Sequence, residues 1–241
     1  MKLHVPLACM ILTGVSSAQF GPQEPLVDLV GASDANQMDF DLDGDLDLIV
    51  ASSALGADFT VENLSDGTLG LPPILDSQGD LPGCSHARVG DLNGDGLIDV
   101  AYCSRTDGRI RWSRNTGGLF ASPITLDLGC AGAIRIAAGD MDEDGDIDLA
   151  AACPGLATVA SYKNVGFGFY AAPATLAGTK NSVMICEFLD VDGDLDQDMV
   201  NQPAGSQGVL CLGGGIGRYV GPGQIQFSGI FRSMRLIIDA N

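Results

Sequence analysis

Positive charge is scarce in this sequence. Twelve lysines and arginines face 31 acids, leaving a net charge of −19 over 241 residues. A surface of that sign repels phosphate backbones and anionic lipids, so nucleic-acid binding is disfavoured and so is docking on a lipid surface. Cations and basic partners are favoured instead. Histidine is scarcer still: of the two, His4 lies in the N-terminal leader and only His86 remains. A His-based catalytic relay therefore has one candidate, and no G-x-S-x-G signature accompanies it. Beside Cys84, His86 reads as a structural or surface residue. No C-x-x-C pair is present, which argues against a zinc site. The glycine run "LGGGIG" (Leu212 to Gly217) lacks the Lys-Ser/Thr of a phosphate-binding loop and reads as a turn. No apolar run reaches the roughly 20 residues of a membrane-spanning helix, so no membrane span is expected. A long helical period is missing too. The single tryptophan, Trp112, would share a strand face with Ile110 and pack in the core, with Arg109 and Arg111 on the other face.

Glycine and apolar residues, by contrast, are plentiful. The 33 glycines, 11 prolines and 46% hydrophobic content describe a packed core made of short elements joined by many turns. The first eighteen residues read as a secretory leader: Lys2, an apolar run from Val5 to Val15, then Ser16 and Ala18 at the −3 and −1 positions of a cleavage site. Export places the mature chain outside the cell, at its surface, or in a periplasm. Six cysteines remain after cleavage: Cys84, Cys103, Cys130, Cys153, Cys186 and Cys211. An even number in an exported chain suggests disulfides. Each of the last three acidic loops described next is flanked by one cysteine pair, so bridges Cys84–Cys103, Cys130–Cys153 and Cys186–Cys211 are the preferred connectivity. Buried thiols are the alternative.

The stretch Asp39 to Asp47, "DFDLDGDLD", places an aspartate at every second position. It is echoed by "DLNGDGLID" (Asp91 to Asp99), "DMDEDGDID" (Asp140 to Asp148) and "FLDVDGDLD" (Phe188 to Asp196), at spacings of 52, 49 and 48. A second marker keeps that period: Asn63, Asn115 and Asn164 each precede a glycine-containing turn, and Pro73, Pro123, Pro173 and Pro222 close the turns. Two markers with one period identify a repeat protein. Each repeat reads as about four short strands, as in "VAYCS", "RIRWSRN", "PITLDL" and "AIRIAAG". Four strands per roughly 50 residues is the size of a β-propeller blade. The C-terminal "SMRLIIDAN" is similar to "AIRIAAGDMD", so Asp239 would open a fifth repeat. The expected fold is an all-β propeller of four blades plus a partial fifth, an incomplete ring. Its domain would span residues 19–241, with acidic loops at 39–47, 91–99, 140–148 and 188–196.

With these residues in view, the chain resembles the FG-GAP/VCBS repeat family, which includes the calcium-bearing blades of integrin α-subunit propellers. The resemblance runs from about Leu26 to the C-terminus. It implies a β-propeller with Ca²⁺ held in loops between strands, and a ligand-supplying backbone carbonyl at the seventh loop position.

The chemistry of the loops agrees. Like charges this close repel unless a hard cation takes their oxygens as ligands. Ca²⁺ accepts six to eight oxygens in flexible geometry, whereas Mg²⁺ suits a four-carboxylate cage less well. In the pattern D-x-[DN]-x-D-G-x-x-D the first loop offers Asp39, Asp41, Asp43 and Asp47, with Asp45 at position seven. The second offers Asp91, Asn93, Asp95 and Asp99, with Leu97 at position seven. The third offers Asp140, Asp142, Asp144 and Asp148, with Asp146 at position seven. In the fourth, Phe188 takes the first position, leaving Asp190, Asp192 and Asp196 with Asp194, a weaker or empty site. Phe40, Leu42 and Leu46 are expected to anchor the first loop to its blade. An EF-hand is excluded, because position twelve is Val50, Tyr102, Ala151 or Met199 rather than glutamate. The aspartates are also not a scattered solubilising surface, since 17 of them crowd into four short windows. Two functions fit: a non-enzymatic calcium-stabilised module that binds extracellular protein or carbohydrate, or the propeller part of a secreted polysaccharide lyase or hydrolase. The second requires His, Lys, Arg or Tyr to converge on one face.

Overall fold

Short alternating segments separated by glycine turns form antiparallel meanders. The computed structural model of the chain is all-β, apart from one 3₁₀ turn at Pro154–Leu156 among the described residues. It describes residues 30–55, 57–64, 66, 68–70, 83–178, 183–189, 197–203, 208–214 and 218–225. The leader and the segment around Asp239 lie outside these. Four antiparallel sheets follow in chain order. The first contains β1 (Ala32–Met38), β2 (Asp47–Ser52) and β3 (Ala57–Val61). The second contains β4 (Cys84–Gly90), β5 (Asp99–Ser104), β6 (Ile110–Ser113) and β7 (Ile124–Asp127). The third contains β8 (Arg135–Gly139), β9 (Asp148–Cys153), β10 (Thr158–Tyr162) and β11 (Ala174–Gly178). The fourth contains β12 (Val183–Leu189), β13 (Asp198–Pro203), β14 (Gly208–Gly214) and β15 (Arg218–Ile225).

The leading strands contact one another in sequence, β1 with β4, β4 with β8 and β8 with β12, so the sheets stack as successive blades. Burial explains the apolar runs 100–103 of β5 and 149–153 of β9. Every residue of β5 and β9 is buried, because each strand faces a neighbouring sheet on both sides. Val100 and Tyr102 enter the core shared with the first sheet, alongside Phe40 and Ile49. Ala101 and Cys103 enter the core shared with the third, alongside Trp112, Leu149 and Tyr162. In β9 the same alternation sends Leu149, Ala151 and Cys153 one way, and Ala150 and Ala152 towards Cys186, Phe188 and Met199. Trp112 is buried beside Ile110 as expected and meets Tyr170 edge-on, with ring centroids 6.4 Å apart.

This alternation corrects the cysteine pairing. Cys130 and Cys153 form a disulfide, as anticipated. The Cys84–Cys103 bridge does not form. The register sets Cys84 opposite Ser104 and Cys103 opposite His86, and the two thiols lie in different cores on opposite faces of one sheet. Cys186 is a buried thiol rather than a bridge to Cys211: it stands opposite Asn201, while Cys211 stands opposite Met199. Closing a 23-residue separation constrains the unfolded chain by about 3 kcal/mol. Replacing both Cys130 and Cys153 with serine should lower the unfolding free energy by roughly that amount in denaturant titrations. Reductant should then cause no further loss in the variant.

Candidate metal centres

The first three acidic loops share one backbone geometry. The first aspartate accepts the N–H of the position-six glycine, in Asp39–Gly44 (3.1 Å), Asp91–Gly96 (2.9 Å) and Asp140–Gly145 (2.9 Å). The fifth-position aspartate accepts the N–H two residues on, in Asp43–Asp45, Asp95–Leu97 and Asp144–Asp146. Gly44, Gly96 and Gly145 take φ of 95°, 86° and 90°, so glycine relieves strain there. Position four is also left-handed, at Leu42 (65°), Gly94 (76°) and Glu143 (60°), a feature the motif does not announce. For Leu42 and Glu143 that conformation costs about 1 kcal/mol each. Of the three apolar residues expected to anchor the first loop, only Phe40 does so. Leu42, whose backbone is left-handed, is 61% exposed and Leu46 57%.

The ninth aspartate plays a second part. Asp47, Asp99 and Asp148 are almost fully buried. One oxygen of each accepts the N–H of position two, from Phe40 (3.1 Å), Leu92 (3.1 Å) or Met141 (2.9 Å). The other accepts the N–H of Asn63 (2.8 Å), Asn115 (2.7 Å) or Asn164 (2.7 Å). Those asparagines then reach the preceding blade: Asn115 Nδ2 donates to the Phe40 carbonyl (2.8 Å), and Asn164 Nδ2 to the Leu92 carbonyl (2.9 Å). Sequence reading recognises these asparagines as a periodic marker but not as inter-blade ties.

Carboxylate oxygens of Asp39, Asp41 and Asp43 gather within 4.8 Å of one another, as do those of Asp140, Asp142 and Asp148. The aspartates of the second loop do not gather so closely, and Asn93 Nδ2 is spent on Asp99 Oδ2 (3.0 Å). Asp45, Leu97 and Asp146 at position seven are half-buried and stand outside these groups. Asp39 Oδ1 and Asp142 Oδ1 are shut off from solvent and have no hydrogen-bond partner. Buried polar atoms rarely stay unsatisfied, so a cation fits here. Charged side chains also approach the loops: Lys163 Nζ bonds Asp142 Oδ2, and Arg114 Nε lies 3.5 Å from Asp95 Oδ2.

The fourth loop, with Asp190, Asp192, Asp194 and Asp196, lies outside the described residues. Its flanking register nevertheless corrects the alignment. Leu189 pairs with Asp198 as Met38 pairs with Asp47, Gly90 with Asp99 and Gly139 with Asp148. Phe188 is therefore a buried strand residue, and Asp198 takes the ninth position. Counted from the register, Asp190 and Asp198 take positions one and nine, which sets Leu195 rather than glycine at position six.

A second charged cluster joins the leading strands. His86, 1% exposed, receives Arg135 Nη1 on Nε2 at 2.7 Å and lies near Arg88 and Asp34. Arg88 forks onto both Glu187 oxygens at 3.1 and 2.9 Å. Burial, reinforced by Arg88 and Arg135, drives the His86 pKa down to about 2, so the ring is neutral.

A family model described as an FG-GAP-like repeat matches residues 39–102 and 91–151. The chain carries FG-GAP-like repeats. Comparison with curated protein sequences finds no match. Among solved structures the chain is similar to an Agrocybe aegerita lectin that recognises non-reducing terminal N-acetylglucosamine, with 20% identity and a TM-score of 0.57 over 78% of this chain and 50% of that one. It is also similar to BBS1N in complex with ARL6DN, with 13% identity and a TM-score of 0.50 over 88% and 57%. The chain spans about half the length of these two structures. At such identities the likeness concerns the fold, a β-propeller.

Burial raises the pKa of Asp99 and Asp148 to about 6, and their neighbouring carboxylates add to the rise; the two N–H bonds each accepts oppose it. Below pH 6 these FG-GAP aspartates hold a proton that a bound cation must expel. If the third loop, which includes Asp148, takes a divalent cation, its affinity should fall about tenfold for each pH unit below 6 and be level above it. Calorimetric titrations at pH 7.5, 6 and 5 check this.

Proposed function

We propose that the protein is an exported, calcium-stabilised β-propeller of FG-GAP-like repeats that binds protein or carbohydrate without catalysing a reaction. The observation carrying the calcium reading is the pair of buried, unpartnered oxygens, Asp39 Oδ1 and Asp142 Oδ1, within loops of clustered oxygen donors. Asp39, Asp41 and Asp43 would hold the ion in the first loop, and Asp140, Asp142 and Asp148 in the third. A purely oxygen donor set suits Ca²⁺, whose charge would cancel the repulsion within each loop. The leader and the Cys130–Cys153 bridge support an extracellular or cell-surface location. Four blades, with the segment around Asp239 opening a fifth, make up the repeat array.

Binding is supported by what flanks the loops. The turns after the linking asparagines expose Leu119 (72%), Val165 (61%), Phe167 (85%) and Phe169 (69%). Aromatic and aliphatic groups beside acidic loops suit a sugar face or a protein surface. The lectin resemblance favours testing sugars first. The enzymatic alternative has one observation behind it, the convergence of His86, Arg88 and Arg135. That ring is buried and stays neutral at physiological pH, and Glu187 already occupies Arg88, so the cluster fits a joint between blades better than an acid–base pair.

Unfolding midpoints in 10 mM Ca²⁺ and in EDTA should differ by roughly 10 °C or more, since several sites each bind only the folded chain. Equal midpoints would sink the calcium reading. A glycan and protein binding screen in Ca²⁺ should find a ligand, while polysaccharide depolymerisation in the same buffer would overturn the non-enzymatic reading.

A further inference from the structure

The residue before each linking asparagine holds one backbone position in three repeats. The carbonyls of Glu62, Arg114 and Lys163 accept the N–H groups of Gly70 (2.7 Å), Ala121 (2.8 Å) and Ala171 (2.8 Å). Its charge is negative in the first repeat and positive in the next two. Both cations turn onto their own loops. Arg114 Nε lies 3.5 Å from the fifth-position Asp95. Lys163 Nζ bonds the third-position Asp142 and lies 3.3 Å from the fifth-position Asp144. Asp142 belongs to the gathered group with Asp140 and Asp148, so the ammonium stands on carboxylate that an ion would use. The first and third loops carry the same five-aspartate pattern. Beside them stand Glu62 in the first repeat and Lys163 in the third, while within the third loop Glu143 takes the place of Leu42.

We propose that Lys163 is a tethered competitor for the third loop's cation. It holds Asp142 and Asp144 until a divalent ion displaces it, and the ion enters at the expense of those contacts. A lysine suits this task, because its ammonium rides on a flexible stem and, at 42% side-chain exposure, has water to move into. The third loop then binds Ca²⁺ more weakly than the first, and the array responds over a wider range of Ca²⁺ concentration than identical loops would. The inference rests on the cation reading of the loops.

Calorimetric titration of the full chain with CaCl₂ tests it. Lys163→Gln should tighten one site about tenfold, and Lys163→Glu, which copies the first repeat, should tighten it further. On an Asp140→Asn background, Lys163→Gln should change nothing. Acylation of Lys163 by an amine-reactive ester, followed by peptide mass spectrometry, should rise when CaCl₂ is added to the wild-type chain. Ca²⁺ binding that Lys163→Gln leaves unchanged or weakens, or Lys163 labelling indifferent to Ca²⁺, overturns the competitor and leaves the calcium reading standing. No Ca²⁺ binding by the wild-type chain overturns both.

Discussion

The blades depend on three buried carboxylates. Asp47, Asp99 and Asp148 each bind a backbone N–H of their own loop and the N–H of an asparagine sixteen residues on. Asn115 and Asn164 use their side chains to tie the previous blade's loop, at Phe40 and Leu92. The result is a relay of hydrogen bonds running from one blade to the next through groups that cannot reach water. Buried polar groups left unpaired cost about 1–3 kcal/mol each, so the relay is strongly specified once the sheets stack. The acidic loop is therefore a joint of the fold as well as the proposed ligand set.

The same carboxylates create the principal electrostatic difficulty. Burial and the neighbouring aspartates raise Asp99 and Asp148 well above the usual carboxylate range. An ion shared by the outer aspartates would favour the charged form on which the relay relies. On the proposed reading, cation binding and blade stacking are two consequences of one arrangement, and the lysine in the third loop offers a partial substitute for the ion's charge. The β4 and β8 residues His86, Arg88 and Arg135 solve the related problem at the leading strands, where Asp34 and Glu187 balance the arginines.

Much of this is legible in the residues. Period-two alternation and glycine turns define the strands, and the fifty-residue echo of the aspartate motif defines the blades. Other features arise from contacts that no linear pattern displays. Cys84 and Cys103 bracket a loop in sequence but face different cores, since a strand turns alternate side chains to opposite faces. Phe188 resembles a lost ligand only until the Leu189–Asp198 register moves the motif two residues on. Leu42 looks like an anchor because its left-handed backbone is invisible in the sequence. Asn115 and Asn164 are readable as punctuation, whereas their donation to another blade appears only when loops some 70 residues apart are brought together.

The relay is tested most directly by removing its amides without touching a carboxylate. Unfolding free energies of Asn115→Ala and Asn164→Ala, measured in EDTA to exclude bound ions, should each fall by about 2 kcal/mol as a buried carbonyl loses its donor. Asn63 provides the control, because among the described residues its amide reaches only Leu46 of its own loop, at 3.5 Å. Asn63→Ala should cost less than either. Losses below about 0.5 kcal/mol at Asn115 and Asn164, or a loss at Asn63 equal to theirs, would contradict the relay.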